Sequence, residues 1–212
     1  DSTQSSITFS IIKKAETVSK DYTITRAEFK SKTVPITKIF QRGNKKVGYI
    51  LFTSFIEESE KELNSASEYF LGQGITDIVV DLRYNGGGAV YISNYFAAIL
   101  GGNAVSNKVY GKEIFNSNYS KCNVVDYFFT PQYKLSCDKV VFITTSNTAS
   151  ASELLINSLK PYKSVITVGS RSNGKFVGMY PTNFFGKWVF SINFAECNAL
   201  NNFGDSEGIV PD

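Results

Sequence analysis

Ser150 lies in the run Thr148, Ala149, Ser150, Ala151, Ser152, Glu153, small and polar residues set between an apolar stretch, VVFI at 140–143, and a segment of helical spacing, ELLINSL at 153–159. A strand buried on both faces that ends in such a turn delivers the turn residues to a helix N-terminus. Unpaired N–H groups and the helix dipole favour negative charge there. A serine held at that place can attack a carbonyl, and the amide after it, that of Ala151, can hold the oxyanion. The plain structural reading is an N-cap, with Ser150 or Ser152 capping the helix and Glu153 completing a capping box. The two readings are compatible.

Two further stretches bear on chemistry. DLRYNGGG at 81–88 puts Gly86, Gly87 and Gly88 directly after an apolar run. Consecutive glycines permit a close backbone approach or a positive φ, and their N–H groups could supply a second oxyanion donor. The rivals are a tight turn and a phosphate cradle, but neither GK[ST] nor GxGxxG spacing accompanies them. GSRSNGKFVGM at 169–179 holds Lys175 in a Gly- and Asn-rich turn. A lone loop lysine is ordinarily a solvated charge. Its interest comes from composition, because the chain contains no histidine. That removes Ser–His–Asp and Cys–His mechanisms and argues against a catalytic zinc. A hydrolase built from these residues must take its base from Lys, Asp, Glu or Tyr. Another serine–lysine pair, Ser10 and Lys13, spells SxxK. It falls in an alternating β pattern, where positions three apart face opposite ways, and no SDN or KTG accompanies it, so it reads as chance.

The elements that must position these residues follow from patterning. Residues 1–35 alternate polar and apolar and fit two or three strands. Pro35 marks a break. The stretch 47–55 reads as an apolar strand. Residues 57–71 read as an amphipathic helix carrying Leu63, Ala66, Tyr69 and Phe70 on one side, ended by Gly72 and Gly74. Residues 77–82 form a second buried strand and 90–100 a second helix. The stretch 101–136 lacks clear periodicity and reads as a long, mobile, function-bearing loop or lid. After the central strand and helix come a strand at 165–169 and a half-exposed strand at 188–194. The alternation of strand and helix argues for an α/β fold with parallel strands joined by helices.

The 212 residues suit one domain or one domain with a fragment, and 42% hydrophobic residues can build a substantial core. A net charge of +3 without long basic runs argues against nucleic acid as a partner. No apolar run reaches membrane-spanning length, and the N-terminal DSTQSS lacks the charge and apolar region of a signal peptide. Cys122, Cys137 and Cys197 are too few for a disulfide scaffold, although a Cys122–Cys137 bridge is open.

Taken together and in this order, DLRYNGGG, TASASE, the Gly174–Lys175 pair and the closing GIVPD resemble the C-terminal processing peptidases, also called tail-specific proteases (serine peptidase family 41). The resemblance covers most of 47–212. It implies a crotonase/ClpP-like core over 36–212. It also makes 1–35 similar to the end of a PDZ-like domain and the strand leading out of it. By the same match Ser150 is the nucleophile, Lys175 the general base, and the amides of Ala151 and of Gly86 or Gly87 the oxyanion hole. The family often carries Gln four residues after the lysine, to orient the amine. Met179 stands there, and Ser172, where the family often has Thr, could take that role. The resemblance further implies a polypeptide substrate, no cofactor or metal, and a location in the cell envelope or periplasm.

Energetics sharpen the expectation. A lysine serves as base only when neutral, and a working pKa near 7–8 lies roughly 3 units below its ordinary value, about 4 kcal/mol against the charged form. Lys175 should therefore be desolvated, near Ser150, with no carboxylate on its amine. Glu153 should cap or brace the helix, and Arg83 should neutralise a nearby acid. The alternative is a non-catalytic relative that binds a peptide or apolar ligand, and a weaker option is a crotonase-like enzyme acting on thioesters.

Overall fold

The computed structural model describes residues 5–212, so residues 1–4 of the N-terminal segment lie outside the described residues. The chain divides into two units, Asp1–Lys32 and Thr33–Asp212. In the first, β1 (Ser6–Ile11) and β2 (Lys20–Thr25) form an antiparallel hairpin. Its register sets Ile7 opposite Ile24 and Phe9 opposite Tyr22, apolar pairs of the kind that hold two strands together. On the other face the Ser10 hydroxyl donates to Asp21 at 2.5 Å. Ser10 is thus spent on cross-strand pairing.

The second unit begins with a hairpin of β3 (Ile36–Arg42) and β4 (Lys45–Leu51), followed by α1 (Ser59–Gln73) and β5 (Asp77–Asp81). Then come α2 (Val90–Gly101), β6 (Val109–Phe115) and β7 (Val124–Tyr127). The chain continues through β8 (Lys139–Thr144), α3 (Ala151–Leu159) and β9 (Ser164–Gly169), and closes with β10 (Val177–Phe184) and β11 (Lys187–Cys197). One sheet has the order β3-β4-β5-β8-β9 and is parallel from β4 to β9, with β3 antiparallel at its edge. The other, β10-β11-β6-β7, is antiparallel throughout.

The parallel strands are the apolar runs, as expected of strands covered by helices. Ile50, Ile78, Val80 and Phe142 join Leu63, Phe70, Phe96, Ile99 and Leu155 of the helices in one buried cluster. Each fully buried Phe contributes roughly 1.5–3 kcal/mol. Helix α1 buries Leu63, Ala66 and Phe70 while Tyr69 stays exposed. Gly72 lies inside α1, and Gly74 ends it in the left-handed conformation, φ 63°. Among the described residues, no helix is long and apolar enough to cross a membrane.

Several expectations change. The stretch 101–136 is not a free lid: it carries β6 and β7, which belong to the second sheet. Strand β8 buries Val140 and Phe142, whereas Val141 and Ile143 are half-buried, so one face is covered more fully than the other. Strand β10 replaces the end of the expected Lys175 turn. The cysteines are free, with Cys122 exposed and Cys137 in the core, which rules out the bridge between them.

Candidate active site

The site forms where the carboxyl ends of β5 and β8 lie side by side, the usual place for ligands in parallel sheets. The turn after β8 is stitched to the loop after β5. The Thr148 hydroxyl donates to the Leu82 carbonyl at 2.8 Å, and the Thr145 hydroxyl donates to that of Arg83 at 2.7 Å. The Asn85 carbonyl accepts from the Ala149 N–H at 3.3 Å and from the Ser152 hydroxyl at 3.0 Å.

Ser150 occupies the tip of this turn, at φ 58° and ψ −120°. A non-glycine residue in that region carries about 1–3 kcal/mol of strain and persists only where its surroundings hold it. The clamps just described do so. Ser93 adds a hydrogen bond from its hydroxyl to the Ala151 carbonyl, 2.8 Å, tying the start of α3 to α2.

The glycine loop packs against this turn. Asn85 is fully buried; its amide donates to the Phe52 carbonyl at 3.1 Å, and its Oδ1 accepts from the Gly87 N–H at 3.0 Å. Gly87 is therefore not a free donor, contrary to its expected role. Its function is approach: with φ 101°, a Cβ there would lie 2.8 Å from Ser150 Cβ. Among the described residues, the N–H groups of Gly86, Gly88 and Ala151 have no acceptor within the chain.

Glu153 is the hub. It is fully buried in the first turn of α3, and its carboxylate accepts four hydrogen bonds. Oε2 takes the N–H groups of Ser150 (2.9 Å) and Lys175 (2.8 Å), whereas Oε1 takes the Ser172 hydroxyl and the Gly174 N–H, both at 2.6 Å. One carboxylate thus fixes the serine turn against the lysine turn. Ser172, expected to orient the Lys175 amine, instead donates to Glu153 and accepts from the Ile209 N–H at 2.7 Å. The closing GIVPD acts as a strap: Ser172 N–H returns a bond to the Ile209 carbonyl at 3.1 Å, and Asp212 accepts from the Thr167 N–H at 2.7 Å. Asn173 N–H reaches the Thr148 carbonyl at 2.9 Å.

Ser150 and Lys175 border the same cavity of about 540 Å³, together with Gly86 and Gly88. Both side-chain-bearing residues are half-buried, so the lysine is less desolvated than expected. No hydrogen bond joins Ser150 Oγ to Lys175 Nζ, and among the described residues Lys175 forms no ion pair. Met179 lines the cavity as well. Arg83 stands outside it, on the fully buried Asp81, with Nη2 to Oδ2 at 2.7 Å and the Tyr49 hydroxyl on the same oxygen at 2.7 Å. Burial pushes the Asp81 carboxyl up, but the hydrogen bonds from Arg83 and Tyr49 outweigh it and hold the group below the ordinary range.

Three carboxylates that the sequence reading missed also line the cavity: Glu113 on β6, Asp126 on β7 and Glu196 on β11. Burial pushes Glu196 up to about 7, with Glu113 and Asp126 adding to the shift and Lys175 opposing it. Burial also raises Glu113, against a hydrogen bond from the Tyr180 hydroxyl (2.7 Å), and raises Asp126. Within β11 the alternation around Glu196 resembles that of any half-exposed strand, and no local signal marks it.

The arrangement is that of an α/β protein with a strained serine at a strand-to-helix turn beside a glycine loop. Residues 46–212 match the model of peptidase family S41, and the chain belongs to that family. It is 32% identical over 163 residues to a CtpA-like serine protease of Staphylococcus epidermidis, covering 74% of this chain and 30% of the relative. To the carboxy-terminal processing protease CtpA of Bacillus subtilis it is 28% identical over 151 residues, covering 69% and 30%. The chain thus spans about 30% of the length of these curated relatives. Among solved structures, an S41 protease from Bacteroides fragilis superposes with a TM-score of 0.81 at 22% identity, over 97% of this chain and 57% of the other. The photosystem II D1 C-terminal processing protease gives 0.69 at 20% identity, over 92% and 51%. These two likenesses establish the S41 peptidase fold, with its mixed α/β sheets.

Proposed function

We propose that this chain carries the catalytic core of a serine endopeptidase of the C-terminal processing type, working through Ser150 and Lys175. The observation that carries the reading is that both residues border one cavity while a single buried carboxylate, Glu153, holds both of their backbone N–H groups. Neutral Lys175 takes the proton from Ser150 Oγ as that oxygen attacks the peptide carbonyl. The N–H of Ala151, with that of Gly86 or Gly88, receives the developing oxyanion. Collapse expels the amine, which takes a proton from Lys175, and water then hydrolyses the acyl-enzyme by the same exchange in reverse. A substrate filling the cavity excludes water from the half-buried amine and completes the desolvation that a neutral lysine needs. Glu153 is a positioning residue: it never meets the substrate.

In this reading residues 1–35 are a remnant of, or linker from, a PDZ-like module, and their described part holds the antiparallel pair β1 and β2.

The test is degradation of an unfolded protein such as reduced casein by the wild type, Ser150→Ala and Lys175→Met. Cleavage should vanish in the first and fall by about 10²–10⁴-fold in the second, the usual worth of a general base. Equal product profiles from all three would refute the reading.

A further inference from the structure

The second sheet brings its three carboxylates to the cavity in an unusual way. Glu196 and Glu113 are direct partners across the β11–β6 pair, and like charges so opposed destabilise a sheet. Glu196 is 3% exposed, yet its Oε1 has no hydrogen-bond partner. Its backbone N–H donates to the Phe176 carbonyl at 3.0 Å, which fixes it beside the Lys175 turn. Tyr180 satisfies one oxygen of Glu113 alone. An unpartnered carboxylate oxygen on a residue that borders a cavity can take a donor from outside the chain.

Resting on the peptidase reading above, we propose that Glu196, Glu113 and Asp126 form a subsite for the cationic end of an arginine or lysine side chain next to the bond that Ser150 attacks. A metal ion fits poorly, because among the described residues no three such groups converge closely enough to hold one. Separated acceptors suit a guanidinium or ammonium, whose several N–H groups diverge. The remaining walls include Val90, Met179, Phe129 and Phe190. Apolar walls ending in acids match a long methylene stem that carries a charged head. The chain therefore selects basic residues at the cleavage site.

The direct test separates binding from catalysis. Full-length Ser150→Ala is titrated with N-acetyl-arginine amide and with N-acetyl-norleucine amide, which has a similar stem and no charge. The arginine amide should bind at least tenfold more tightly, and the preference should fall below about threefold when Glu196→Gln or Glu113→Gln is added. Equal affinities for the two amides, or a preference that survives both substitutions, would overturn the proposal. Two separate carboxylate variants guard against one that fails to fold. In a second arm the wild type digests reduced casein and the cut sites are read by mass spectrometry. Enrichment of Lys or Arg at a position flanking the cleaved bond supports the subsite, and cut sites without that enrichment overturn it. Absence of any Ser150-dependent cutting refutes the peptidase reading instead, and the titration then decides the subsite by itself.

Discussion

Replacing Glu153 with Gln probes the joint on which the site depends. The carboxylate accepts from four donors, two on each oxygen. A Gln offers one carbonyl oxygen and one NH2 group, so one pair of donors must face another donor. If the NH2 group takes the place of Oε2, the backbone N–H groups of Ser150 and Lys175 are both orphaned. If it takes the place of Oε1, the Ser172 hydroxyl can turn to accept, giving up its own acceptor, and the Gly174 N–H is the one backbone group that loses its partner. The second orientation should prevail. It costs about 1–3 kcal/mol for the orphaned N–H, plus roughly 1 kcal/mol for each remaining bond that loses charge assistance. The lower cost of burying a neutral group offsets part of this. The expected net loss is about 2–4 kcal/mol, read as a fall in the urea midpoint at constant slope. Gly174 directly precedes Lys175, so the lysine turn loosens while the Ser150 turn keeps its bond. Casein cleavage should accordingly fall at least tenfold under conditions where the variant is still folded. A variant that keeps its stability within about 0.5 kcal/mol and its full cleavage rate would refute the reasoning, because Glu153 would then be a dispensable cap.

Three further outcomes follow from the same geometry. Ser150→Gly should be more stable than Ser150→Ala by about 1 kcal/mol in urea unfolding, since only glycine adopts φ 58° without strain, while both variants are inactive. Gly87→Ala should lower stability by about 1–3 kcal/mol and displace Ser150, because the new Cβ meets Ser150 Cβ and the Ala149 carbonyl at 2.8 Å; cleavage should drop with little change in KM. Glu196 titrates in the folded state at about 7, against roughly 4.3 for an unfolded glutamate. An acid raised in this way binds more protons folded than unfolded between those values, so its contribution is present below about pH 4 and is lost as pH rises through 7. Wild-type stability should therefore decline by roughly 3 kcal/mol relative to Glu196→Gln between pH 4.5 and 8. Parallel pH profiles for the two proteins would show that the carboxyl is not buried as described.

Much of the site was legible because its parts are local. A small-residue turn between an apolar run and a helical segment put Ser150 at a helix start. Glu153 read as a brace, which matches its hydrogen bond to the Ser150 N–H. The absence of histidine leaves Lys175 as a candidate base on composition alone. The roles given to Gly87 and Ser172 failed for one reason: each offers a polar group whose partner, Asn85 Oδ1 or Glu153 Oε1, is chosen by packing. The segment 101–136 looked like a loop because β6 pairs with β11, joining Phe115 to Phe194 across a long stretch of chain. Local periodicity does not record such pairing, and the irregular register between Val109 and Gly111 blurs the alternation further.

The sequence alone therefore determined the alternation of strands and helices, the buried parallel core and the kind of chemistry open to a chain without imidazole, since these depend on residue type and near-neighbour spacing. Only the tertiary structure decided which donors remain free, how far the lysine is covered, and that three acids from separate strands line the cavity it borders. Those are properties of space between distant segments, where burial and the choice of partner set the energy of a polar group.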